Sequence, residues 1–129
     1  MPELTPEKLE ETIRCDGRYA PEAYEFLHRG LMHSTQMVYG EQPPEGARHV
    51  SGAQLCQGLR DLAIRQWGPL ALDVLQRWGV RRTRDFGEMV FLLVSVGFLG
   101  KQDEDRIEDF DDVYDFSEAF TRYAIVLEE

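Results

Sequence analysis

Arg81, Arg82 and Arg84 surround Thr83 within one short stretch of chain. Three guanidiniums beside a hydroxyl suit recognition of an oxyanion, because arginine presents paired N–H donors that match carboxylate or phosphate. Thr83 reads as the cap of a helix, and a helix start adds unpaired N–H groups and partial positive charge. The four residues therefore form a candidate anion- or partner-binding site. Two readings compete for them. Either they face an anionic partner, or they pair with Asp103, Glu104, Asp105, Glu108, Asp109, Asp111 or Asp112. Internal pairing requires no partner and is the expectation adopted.

Other reactive side chains lack the company their chemistry needs. Glu25 and His28 are spaced i, i+3 on one helix face, but a di-iron bundle site needs two such pairs and two more carboxylates. His33 lies off that face. Cys15, Cys56 and His49 show no zinc-finger spacing. Asp103 and Asp105 begin a calcium-loop pattern, yet Ile107, Glu108 and Tyr114 stand where a ligand, a glycine and a glutamate belong. Neither a metal nor a cofactor is expected. Ser51 reads as a cap rather than a nucleophile, Cys56 as a small hydrophobe and His49 as a solvated loop residue. Trp67, Trp78, Phe86 and Tyr114 read as packing rather than a base-stacking platform. There is no glycine-rich phosphate loop, and no catalytic residue is assigned.

The elements that position these residues are mainly helices. Thr5-Pro6 opens a helix to about Arg14, closed by Gly17. Pro21 opens a second, with Tyr24, Leu27, Leu31, Thr35 and Val38 as its apolar stripe and Gly40 as its stop. In Val50-Ser51-Gly52-Ala53-Gln54-Leu55, Ser51 and Gln54 form a capping box inside a Val50–Leu55 staple. That helix buries Leu55, Leu59, Leu62 and Ala63. Another follows Gly68-Pro69 to Trp78, with Leu70, Val74, Leu75 and Trp78 on one side and Gly79 as a left-handed cap. The helix from Thr83 carries Phe86, Met89, Val90, Leu93, Val94 and Val96 over most of its surface, so it is expected to be central, ending at Gly97. Phe98-Leu99 and Phe110–Phe116 are expected to pair as a short hairpin across a polar turn, with a helix or docked tail from Ser117 to Leu127. The expected fold is mainly α with a small C-terminal β-hairpin, in a winged-helix-like order. Residues 1–129 read as a single domain: an N-terminal helical pair over 1–39, a linker loop over 40–49, and a helical core with hairpin and acidic segment over 50–129.

Composition bounds the function classes. A length of 129 residues suits one domain, and 43% apolar with 29% charged residues is ordinary globular usage. Two cysteines cannot build a disulfide scaffold. The start Met1-Pro2-Glu3-Leu4 lacks the pattern of a signal peptide, and the apolar stretch Met89–Val96 is far short of the ~20 residues of a membrane span. A cytoplasmic protein with no membrane partner is expected. The net charge of −10 opposes non-specific nucleic-acid binding. Its layout is uneven: −5 over residues 1–45, +4 over 46–102, −8 over 103–118 and −1 over 119–129. A basic, arginine-rich middle precedes a dense acidic segment, so the two are expected to lie together.

The pieces Tyr19-Ala20-Pro21-Glu22-Ala23-Tyr24, His49-Val50-Ser51-Gly52, Gln66-Trp67-Gly68-Pro69, Trp78-Gly79-Val80-Arg81-Arg82-Thr83-Arg84-Asp85-Phe86-Gly87 and Val113-Tyr114-Asp115-Phe116 span most of the chain. Through them it resembles a bacterial conserved-hypothetical family of the planctomycete and verrucomicrobial type. The resemblance implies a small single domain and transfers neither an activity nor a catalytic residue. A non-enzymatic interaction module that binds a protein partner or a second copy of itself is therefore the functional expectation. The alternatives are a winged-helix-like nucleic-acid-binding regulator using the basic middle, and a small enzyme.

Overall fold

Pro6–Asp16 forms α1, Pro21–Tyr39 α2, Gly52–Trp67 α3, Ala71–Arg77 α4 and Thr83–Ser95 α5. They are seen in a computed structural model that describes residues 6–40, 49–99 and 106–121. Short helical turns complete it: 3₁₀ turns at Gly68–Leu70 and Ile107–Phe110, and a π turn at Ser117–Thr121. Thr5, linker residues 41–48, the acids Asp103, Glu104 and Asp105, and the chain after Thr121 lie outside the described residues.

Local chemistry starts α2 and α3 and stops α4. Pro21 stands at the first turn of α2, where its missing N–H costs nothing. Before α3, the Gln54 N–H donates to Ser51 Oγ at 3.1 Å and the Ser51 N–H donates to Gln54 Oε1 at 2.8 Å. Val50 and Leu55, the staple pair around this box, are both buried. Gly79 turns the chain after α4 with φ +91°, a conformation that penalises any side chain. Leu75 is buried as expected, but Leu70 corrects the sequence reading: it is 64% exposed, because it lies in the 3₁₀ turn at Gly68–Leu70, and Ala71 is buried instead.

The closest helix contact is between α2 and α3, and small residues make it. A Cβ on Gly58 would sit 1.8 Å from Ser34 Oγ, and one on Gly30 would sit 2.1 Å from Leu59 Cδ2. Neither glycine has room for a side chain, so the backbones approach closely. Buried Ser34 donates its hydroxyl to the Gly30 carbonyl at 2.7 Å, which removes the cost of an unpaired polar group. The expected Tyr24 and Leu27 are buried, and with them the buried residues of α2 are Ala23, Phe26, Gly30 and Ser34. That face is rotated from the expected stripe beyond Leu27, so Leu31 and Thr35 are only half-buried and Val38 is exposed.

The expected β-hairpin is absent: among the described residues there is no strand, and the winged-helix arrangement falls with it. The physical reason lies in where the backbone groups of residues 110–113 find partners. The Thr83 hydroxyl donates to the Phe110 carbonyl at 2.6 Å and accepts from the Val113 N–H at 3.2 Å. The segment thus bonds to the start of α5 rather than to another strand. Asp112 adopts φ +50°, which interrupts an extended run. The spacing of Phe110, Val113 and Phe116 serves packing against helices. Phe116 lies 5.8 Å from Phe86 and 5.2 Å from Phe120, centroid to centroid. Ile13, Leu27, Leu59, Leu75, Met89, Phe110 and Phe120 all join one buried cluster, so every helix and the C-terminal segment share a core.

Candidate functional site

The four predicted residues do not form one site. Arg82 precedes α5 as its cap position and Thr83 is the first helical residue, so Thr83 is not the cap. That role falls to Asp85, whose carboxylate accepts from the N–H groups of Arg81 at 2.8 Å and Arg82 at 3.2 Å. The same carboxylate accepts the Tyr19 hydroxyl at 2.8 Å, in a buried bond from the α1–α2 turn. Burial, and then this bond to an anion, push the Tyr19 phenol well above its ordinary value. Thr83, 1% exposed, anchors the Phe110–Val113 segment. Arg84 makes a forked pair with Asp111 at 2.9 and 3.0 Å and reaches Glu88 at 3.4 Å. The Asp111 bond is the main cause that raises its pKa and keeps it charged. Arg81 and Arg82 are exposed, and among the described residues the Arg82 side chain reaches only Asp85, at 4.0 Å. The basic middle and the acidic segment do meet, and among the described residues Arg84 alone of the three arginines makes that contact.

A second feature is a groove between α2 and α5. Its cavity of about 200 Å³ reaches inward to the buried side chains of Leu27, Leu55 and Leu93. Leu31, Val90 and Val94 form half-buried walls, and His28, His49, Arg106 and Asp109 give a polar margin. Phe98, 39% exposed, stands beside the groove with its ring 5.8 Å from that of His28. One face of α5 is fully buried through Phe86, Met89 and Leu93, while Val90, Phe91 and Leu92 pack against the core partly buried. The apolar surface that the sequence assigns to a central helix is partly this open wall.

A third feature gathers residues that sequence reading did not group. Arg14, Arg18, Arg77 and Arg81 line one open depression of about 460 Å³ between the α1–α2 turn and the α4–α5 turn. They come from two stretches of chain about sixty residues apart, so no spacing rule could have joined Arg14 and Arg18 to Arg77 and Arg81. Two hydrogen bonds hold the turns together: Ala20 N–H to the Trp78 carbonyl at 3.0 Å, and Tyr19 to Asp85.

Cys15 is free and exposed, whereas Cys56 and His33 are engaged structurally. The Cys56 thiol is fully buried and pushed up to about 12 by burial, so it stays protonated. His33 Nε2 lies 2.7 Å from Asp61 Oδ2, and Arg65 Nε donates to the same oxygen at 2.6 Å. Burial raises the Asp61 pKa, but the bonds from His33 and Arg65 outweigh it and hold the carboxyl below its ordinary value. Among the described residues no group of three or more His, Cys, Asp or Glu side chains is placed to hold a metal ion, and no helix is long and apolar enough to cross a membrane. The chain matches no protein-family model, no curated protein and no solved structure.

Proposed function

We propose that the protein is an interaction module whose α2–α5 groove takes apolar side chains from a segment of a protein partner. The observation that carries this reading is the groove itself: an apolar interior with a polar margin, cut into an otherwise closed helical core. Protein-binding surfaces share that anatomy, with a desolvated apolar centre and a wet rim. Size supports a side-chain anchor over a cofactor. The cavity of about 200 Å³ is smaller than the roughly 300–1,000 Å³ of typical small-molecule sites. Amphipathic helices dock into grooves between helices through a few spaced apolar anchors, and that mode fits this geometry.

The test compares wild type with Val94→Glu, which places a charge on the groove wall, and with Arg81→Gln, which lies elsewhere. Both variants are first shown to melt like wild type. Each is then used as bait in native lysate, with quantitative mass spectrometry as readout. The expected result is a protein captured by wild type and Arg81→Gln and lost with Val94→Glu. Identical capture by all three overturns the groove reading. Light scattering on the free protein distinguishes a second copy as the partner: a dimer abolished by Val94→Glu assigns the groove to self-association.

A further inference from the structure

We propose that the depression between the α1–α2 and α4–α5 turns binds a compact phosphoryl anion through Arg14, Arg18, Arg77 and Arg81. In a chain with 24 acidic side chains and net charge −10, four arginines line this surface and, among the described residues, no carboxylate does. All four are arginine rather than lysine, the side chain whose planar fork matches an oxyanion with paired N–H donors.

The surrounding carboxylates orient the cations from outside the depression. Arg18 is gripped by Asp16 through paired bonds of 3.1 Å and donates to Glu88 at 3.2 Å, and its side chain remains 46% exposed. Arg77 uses its Nε on Asp73 at 3.0 Å, which leaves its terminal nitrogens for a ligand. Among the described residues Arg14 and Arg81 have no ion-pair partner. Two cations are therefore held in place and two are unspent.

Ala20 and Pro21 border the depression at the start of α2, a 19-residue helix. Neither offers a free N–H, since Ala20 donates to the Trp78 carbonyl and proline has none, so the helix adds only the partial positive charge of its first turn and the arginines supply the donors. Glu22, the acid of its first turn, does not line the depression. The scaffold is preformed, since Gly79 packs so closely that a Cβ there would lie 2.5 Å from the Arg18 carbonyl. Restricted turns hold the arginine backbones in position before any ligand arrives.

The same layout argues for a compact ligand over a long polyanion. Asp16, Asp73 and Glu88 flank the arginines, and an extended nucleic-acid backbone would run onto them. A single phosphoryl group stays within the basic patch. The group could arrive on a small metabolite or on a phosphorylated side chain of a protein, and the experiment separates these.

The arginine Nε–Hε signals of the full chain are followed by NMR during titration with inorganic phosphate, with sodium chloride at matched ionic strength as control. AMP, a phosphoserine peptide and a mixed-sequence single-stranded DNA are titrated in parallel. The expected result is saturable shifts of Arg14 and Arg81 with phosphate, absent with chloride. Binding should weaken at least tenfold in the Arg14→Gln/Arg81→Gln double variant. Tighter binding of AMP than of the peptide assigns the phosphoryl group to a small molecule, and the reverse assigns it to a phosphoprotein. Shifts that match those in chloride overturn the proposal. So does phosphate binding that survives the double variant, or DNA binding tighter than every monophosphate.

Discussion

The start of α5 has two sides, and they use the same residue types for different ends. On the side facing the C-terminal segment, Thr83 holds Phe110 and Val113, and Arg84 forks onto Asp111. Charge and hydroxyl there are spent on folding. On the side facing the α1–α2 turn, Arg81 and Arg82 are exposed, Asp85 accepts from both of their backbone N–H groups, and the Arg82 guanidinium nears the same carboxylate only at 4.0 Å. Arg81 and Arg84 are three residues apart, yet one helps close the chain and the other is left open. Arg81 stands before the helix, in the α4–α5 turn, whereas Arg84 lies in its first turn, so a linear cluster of like charges need not share a fate. The folded side predicts stability effects, and the open side predicts binding effects with little change in stability.

The largest stability effect is expected from Phe110→Ala. The Phe110 ring is wedged between two glycines: a Cβ on Gly87 would lie 2.8 Å from it and one on Gly52 3.1 Å. Removing a buried phenylalanine typically costs about 3–5 kcal/mol, read here from urea unfolding. A loss under 1 kcal/mol would mean that residues 106–121 are not part of the folded side. Next comes Tyr19→Phe, which strips the Asp85 carboxylate of its buried donor. Hydrogen bonds to charged groups are worth about 1.5–3 kcal/mol, and the loss should appear at pH 7. The folded-state pKa of Tyr19 is raised above its ordinary value of 10. Its contribution is therefore complete below pH 10 and is lost as pH rises above that. The gap between wild type and Tyr19→Phe should hold constant up to about pH 10 and narrow as pH rises above it, and a gap that stayed constant there would contradict the bond. Gly87→Ala follows. Alanine favours helix, but its methyl would crowd the Phe110 ring, so overpacking at about 1–3 kcal/mol should win. A gain in melting temperature would show that the ring moves aside.

Much of this was readable in the chain, because it rests on local chemistry. Pro21, the Ser51–Gln54 box and Gly79 each satisfy or release backbone groups within a few residues, and each stands where the sequence places it. The hairpin was misread because loose alternation of Phe110, Val113 and Phe116 also suits a segment laid across helices. The partner that decides between the two is Thr83, 27 residues from Phe110. Thr83 looked like a cap because it precedes an apolar helix, whereas the acceptor for the free N–H groups is Asp85, two residues on. The arginine turn was recognised as basic, but its division was not visible: which cation meets Asp111 depends on how residues 106–113 cross α5. The depression was invisible for the same reason, since Arg14, Arg18 and Arg77 join Arg81 only when two distant turns meet.

The smallest stability effects discriminate best between the two sides. Arg84→Gln removes the fork to Asp111 and leaves that carboxylate beside Glu88 and the rest of the acidic segment. The pair is at the surface, so the melting temperature should fall modestly at low salt, and the deficit should shrink as ionic strength rises and screens both charges. Arg81→Gln should leave the melting temperature unchanged at every salt concentration, since its side chain meets no acid among the described residues and its backbone N–H still reaches Asp85. If the two variants melted alike, the acidic segment would be drawing on the whole turn as one cluster and the division at α5 would be wrong. If Arg81→Gln raised the melting temperature at low salt, the open side would carry uncompensated repulsion among its arginines. That result would sharpen the contrast, because repulsion held in the free protein is what an arriving anion would relieve.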